Sequence, residues 1–165
     1  SPGGGVGGVV CGLVTLGAPH FPPPEGKACA TRGALKAVDD ECPGAFLEGL
    51  KYMTVCGTAI EGEESAKSSG TDVDRLYASR GEGSAGRVAY VNYQSLTGVG
   101  SQKGDGVIPL SCAHLPGAEQ VTLEGVVHSI NEAGTTMPTE RWYGSEGVVD
   151  RWWGPAMEML GIVQE

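Results

Sequence analysis

Val9-Val10-Cys11-Gly12-Leu13-Val14-Thr15-Leu16 is the stretch that decides the fold class. It is almost continuously apolar, rich in β-branched residues, and lacks polar–apolar alternation. A strand with one wet face alternates, whereas a parallel strand covered on both faces does not. Gly17-Ala18-Pro19-His20 ends the run, and Pro22-Pro23-Pro24 continues it as a stiff, extended connector. Outward from there, Thr31 is placed to cap a helix from about Arg32 to Glu41. Leu35 and Val38 form its inner side, and Pro43-Gly44 stops it. Lys51-Tyr52-Met53-Thr54-Val55-Cys56 reads as a second buried strand. Glu119 to Val127 alternates in part and suits a third, nearer a sheet edge. Val88 to Leu96 reads as a short helix ahead of a turn region, Gly98 to Gly106. Ser145 is placed to cap a closing helix, on which Val149, Trp152, Trp153, Ala156 and Leu160 fall at helical spacing. Gly154-Pro155 should kink or split that helix, because proline removes a backbone donor. Strands separated by helices make an α/β pattern with parallel crossovers. The two most apolar strands expect sheet neighbours that three strands do not supply.

Composition narrows the function classes. The chain has 165 residues, enough for one domain with a core, and its mean hydropathy of −0.09 fits a globular protein. A formal net charge of −9, with scattered Lys and Arg, argues against nucleic acid as a partner. The longest apolar region, Val6 to Leu16, is too short and too glycine-broken for a transmembrane segment. Five cysteines (Cys11, Cys29, Cys42, Cys56 and Cys112) include no C-x-x-C pair. They read as reduced thiols rather than a disulfide framework or zinc site, which favours an intracellular setting, cytoplasm or plastid. Three histidines with no H-x-x-x-H or carboxylate cluster offer no metal set. Residues 1–8 are a Gly/Pro-rich linker or insertion, residues 9–165 the domain, and residues 57–86 a charged, glycine-rich exposed excursion. The chain opens on Ser1 without a signal pattern, and the expectation is a processed product or fragment.

Two residues sit where chemistry would explain them. Asp105 lies in Gly104-Asp105-Gly106-Val107-Ile108-Pro109, a tight turn running into an apolar segment. His128 follows 23 residues later, in Gly125-Val126-Val127-His128-Ser129, at the end of the third strand. An acid and then a strand-end histidine matches the last two members of the chain order Ser, Asp or Glu, His. Read blandly, Asp105 is a turn aspartate bonded to its own backbone and His128 a satisfied strand-end histidine. His20 reads as a structural histidine after its turn, His114 as a surface or packing residue, and Trp152-Trp153 as core.

Several segments together resemble a known family. Leu13-Val14-Thr15-Leu16-Gly17-Ala18-Pro19-His20 is similar to the "VTLGTPH" strand of lipase-like α/β hydrolases, and the Asp105 turn to their "GDGVVP" turn. The His128 segment resembles their histidine loop. Trp142-Tyr143-Gly144-Ser145 is similar to plant and algal members related to GPI inositol-deacylase-like lipases. The resemblance runs from about Val9 to Leu160 and covers only the C-terminal half of a family domain. It implies ester hydrolysis of an acyl ester or lipid-like substrate, with Asp105 as triad acid, His128 as base and no cofactor. Residues 57–86 would form part of a lid.

The departure is the nucleophile. No Gly-x-Ser-x-Gly elbow occurs in the chain. Ser1 is too close to Val9 for the crossover an elbow serine begins. Ser84 in Gly83-Ser84-Ala85-Gly86 lacks the first glycine and follows both early strands. The chain by itself is therefore expected to be inactive. The alternative is a non-catalytic α/β-hydrolase-like module for binding or assembly, and a metal-dependent hydrolase is a further rival.

Overall fold

The computed structural model describes residues 10–65, 84–129 and 141–162. Its elements run β1 (Gly12–Leu16), α1 (Ala34–Glu41), β2 (Lys51–Gly57), β3 (Ile60–Glu61), α2 (Ala85–Thr97), β4 (Lys103–Gly104), α3 (Leu110–Ala113), β5 (Glu119–Leu123) and α4 (Val149–Leu160). The main sheet has three parallel strands in the order β1-β2-β5, with helices in the connections, so the class is α/β. A small antiparallel pair joins β3 to β4. No helix among the described residues is long and apolar enough to cross a membrane.

The middle strand carries the core. Met53, Thr54, Val55, Cys56 and Gly57 of β2 are all buried, because β2 has a hydrogen-bonded neighbour on each side. Both neighbours come from this chain, contrary to the expectation that β2 lacks them. Met53 and Val55 pack with Leu123, Val126, Tyr143, Val148 and Ala156, which joins the sheet to α4. By contrast β1 pairs only with β2 among the described strands, and none of its residues is fully buried. Its run was read as covered on both faces, yet Leu13 is 44% exposed. Apolarity records what a strand can bury, and among the described strands β1 has a neighbour on one edge alone.

Other departures have local causes. The first helix begins at Ala34 rather than Arg32, after positive φ at both Arg32 and Gly33; Thr31 Oγ1 still accepts from the Leu35 N–H at 3.1 Å. Leu35 is half-buried, but Val38 is 58% exposed and not on a covered side. The third strand stops at Leu123, where Glu124-Gly125 turns the chain with Gly125 at φ +75°. Ser145 does not cap α4 with its side chain; Oγ accepts instead from the Trp142 N–H at 3.0 Å. Proline neither splits nor ends α4, which runs through Pro155 to Leu160. One missing N–H removes one i→i−4 bond, while buried Ala156 and half-buried Trp152 keep both sides of the proline on the core. On that face Trp153 is 44% exposed, so Trp152 alone of the pair is core.

The opening of the expected excursion is packed rather than exposed. Ile60 and Gly62 are buried, and Ile60 clusters with Ala85, Ala89, Tyr93 and Val127. Residues 66–83 of that excursion lie outside the described residues. All five cysteines are free, with Cys56 and Cys112 buried.

His114 bridges the sheet. Its Nδ1 meets Thr54 Oγ1 of β2 at 3.0 Å and its Nε2 meets Thr122 Oγ1 of β5 at 3.1 Å. Nearby, His20 Nε2 meets Thr15 Oγ1 of β1 at 3.0 Å. Burial lowers the pKa of both rings, and His114 lowers that of His20 further. A histidine held below its ordinary 6.5 adds stability that is complete above that value and is lost as pH falls toward the folded value. Urea midpoints should therefore fall as pH drops below 6.5, and His114→Gln should flatten that slope. Met53→Ala should cost about 2–5 kcal/mol in the same assay, as a large-to-small change at a fully buried position.

Candidate active site

Asp105 is fully buried, and four hydrogen bonds reach its carboxylate. Oδ1 accepts from the backbone N–H groups of Val107 at 3.0 Å and Ile108 at 2.7 Å, the local turn that Gly-Asp-Gly favours. Oδ2 accepts from His128 Nδ1 at 2.9 Å and from the Tyr143 hydroxyl at 2.8 Å. An ionised carboxylate only accepts, so with Asp105 ionised His128 carries its hydrogen on Nδ1. The local reading of Asp105 as a turn residue and the long-range reading as a partner of His128 thus hold together, one on each oxygen.

The turn is held by α2 from behind. Tyr93, fully buried on α2, accepts from the Gly106 N–H at 2.8 Å and donates to the Ile60 carbonyl at 3.1 Å. Asn92 Nδ2 donates to the Gly106 carbonyl at 2.9 Å. Ser84 has a capping role, its Oγ accepting from the Arg87 N–H at the start of α2. His128 is anchored twice to the same residue. Its backbone N–H donates to the Asp105 carbonyl at 3.0 Å, in addition to the ring contact. Its side chain remains 30% exposed, so the ring reaches solvent while the acid does not.

The place of this pair in the sheet is informative. Gly17 follows the last residue of β1, Gly57 is the last of β2, and His128 lies just past β5. All three stand at the carboxyl ends of parallel strands, where α/β sheets open the crevice that takes ligands. Gly17 has φ +55°, and a Cβ there would run into Asp105 Oδ2, with His128 Nδ1 and the Tyr143 hydroxyl each 2.9 Å away. Backbone thus abuts the hydrogen-bonded trio where any side chain would displace it. A Cβ on Gly57 would collide with the Val126 carbonyl, so β2 is also pressed against the His128 segment.

No protein-family model, curated protein or solved structure matches this chain.

Reading the sequence identified Asp105 and His128, and the structure brings them into contact. It did not identify Tyr143, Gly17 or Gly57 as parts of the same site. A glycine directly after an apolar strand was a usable signal for Gly17. Tyr143 stood out only within the family-like segment Trp142-Tyr143-Gly144-Ser145, in which nothing marked a role beside Asp105. His20 and His114 lie in the Thr–His contacts of the sheet, apart from this trio. The buried thiols near Asp105 are held neutral: burial first, then the carboxylate charge, drives Cys56 far above its ordinary range and Cys112 up to about 12.

Two glycine variants separate site crowding from backbone strain. Gly125 has φ +75° with open space around its position, so Gly125→Ala should cost only the left-handed penalty of about 1–2 kcal/mol. Gly17→Ala should cost more in a urea titration and should also remove the downfield Nδ1–H proton resonance of His128.

Proposed function

We propose that this chain supplies the acid and base of a serine ester hydrolase with a lipase- or esterase-like α/β-hydrolase fold. The observation that carries the reading is the 2.9 Å contact between a fully buried carboxylate and a half-exposed imidazole. It lies at the carboxyl ends of parallel strands and is made through Nδ1, the ring nitrogen that a triad acid engages. Three supports converge on it. The residues follow the chain order acid then histidine, the acid turn and histidine segment resemble the family's motifs, and His128 follows β5, the parallel neighbour of β2, whose last residue Gly57 lies against Asp105.

In this reading His128 Nε2 accepts the proton of an attacking serine and returns it to the leaving alkoxide. Asp105 fixes the imidazole orientation and stabilises the imidazolium that forms between those steps. The serine oxygen bonds to the acyl carbon, the ester C–O bond breaks, and water repeats the sequence to release the acid. The substrate is an acyl ester or lipid-like ester. The serine and the donors that stabilise the oxyanion come from residues outside these 165, since the chain contains no Gly-x-Ser-x-Gly elbow.

The test uses the product of the full open reading frame with p-nitrophenyl esters of several acyl lengths. Asp105→Asn should lower turnover by roughly 10⁴-fold without unfolding the protein, and His128→Ala should do at least as much. A fluorophosphonate probe should label a serine outside this segment. Unchanged turnover in Asp105→Asn, or labelling of a serine within the segment, would defeat the proposal.

A further inference from the structure

Tyr143 makes contacts that a tyrosine buried only for packing would not need. Its hydroxyl donates to Asp105 Oδ2 at 2.8 Å and accepts from the Gly57 backbone N–H at 2.7 Å. The result is one continuous line of hydrogen bonds: Gly57 N–H to Tyr143 hydroxyl, Tyr143 hydroxyl to Asp105 Oδ2, and His128 Nδ1 to the same oxygen. Its first member is the last residue of the central strand, so one end is fixed by the sheet. The tyrosine itself is held on both sides of its Cα. Trp152 Nε1 donates to its carbonyl at 2.8 Å, and the preceding Trp142 N–H is taken by Ser145 Oγ. Its ring meets the His128 ring edge-on, with centroids 6.3 Å apart and planes at 83°.

We propose that Tyr143 is a positioning residue for the Asp105–His128 pair: its sheet-anchored hydroxyl orients the carboxylate and draws negative charge from Oδ2, thereby setting the basicity of His128. This rests on reading Asp105 and His128 as an acid–base pair. The sign follows from the dipole. The phenolic hydrogen points at Oδ2 and places positive charge beside the oxygen that would stabilise an imidazolium. It competes with His128 for that oxygen and keeps His128 less basic than a bare carboxylate would make it. Burial, followed by the Asp105 charge, raises the Tyr143 pKa, so the phenol stays a donor. Among the described residues, the Cys56 thiol of β2 and the Cys112 thiol of α3 also face the carboxylate, and both stay neutral while an imidazole titrates.

The experiment is an NMR titration of the His128 ring in this chain, its Tyr143→Phe variant, and the chain carrying 3-fluorotyrosine at position 143. Phenylalanine removes the competing donor, and the His128 midpoint should rise by roughly half a pH unit. The fluorinated ring is a stronger donor of nearly the same shape, so the midpoint should fall. A purely structural tyrosine would give no such opposed shifts. If Tyr143→Phe does not fold, the fluorinated protein decides alone, and a midpoint that does not fall overturns the proposal. Asp105→Asn separates the two levels of the argument. If it moves His128 while both position-143 changes leave it still, only the role of Tyr143 fails. If it leaves the His128 midpoint and the Nδ1–H signal unchanged, the acid–base pair fails with it.

Discussion

A carboxylate at zero exposure is the constraint around which this protein is arranged. Removing an ion from water costs several kcal/mol even after relaxation, and only excellent local compensation offsets it. Asp105 receives that compensation from four directions: two backbone N–H groups of its own turn, an imidazole and a phenol. These partners come from three separated stretches of chain. Each must arrive for the ion to be tolerated, so the same contacts that solvate Asp105 also bring the strand ends together. Tyr93 and Asn92 of α2 hold the turn, and the His128 backbone bonds back to it.

The sheet is the rigid part of this arrangement. Glycine at positions 17 and 57 lets backbone approach where side chains would collide with the site. The most apolar strand by sequence, β1, is the less covered one, while β2 is sealed between two neighbours. The stable platform is therefore the β2–β5 pair with α4 packed beneath it, and the hydrogen-bonded trio sits on its carboxyl-end rim.

Much of this was legible in the residues. An almost continuously apolar, β-branched-rich run marked Val9 to Leu16 as a strand, Lys51 to Cys56 read as a second, and helical spacing marked α4. Glycine-flanked Asp105 and strand-end His128 stood out because local turn chemistry and chain order pointed the same way. What could not be read was set by tertiary contact. Ser145 has the sidedness of a cap but turns back to Trp142, and Pro155 is carried through α4 by the burial of Ala156. Tyr143 is the clearest case. Its partner Gly57 is 86 residues away, and no local pattern encodes that meeting.

That separation has a kinetic meaning. Contacts between remote parts of a chain form only after the intervening loops have closed, and they slow folding accordingly. The Gly57 contact joins the central strand to Tyr143, which precedes α4, and Trp152 of α4 clasps the same tyrosine. A nascent chain that has emerged only as far as His128 holds the acid and the imidazole but leaves both Gly57 N–H and Oδ2 short of a partner. The hydrogen-bonded trio is thus completed only once the Tyr143 segment has folded back onto the sheet, and the buried carboxylate is fully accommodated only then.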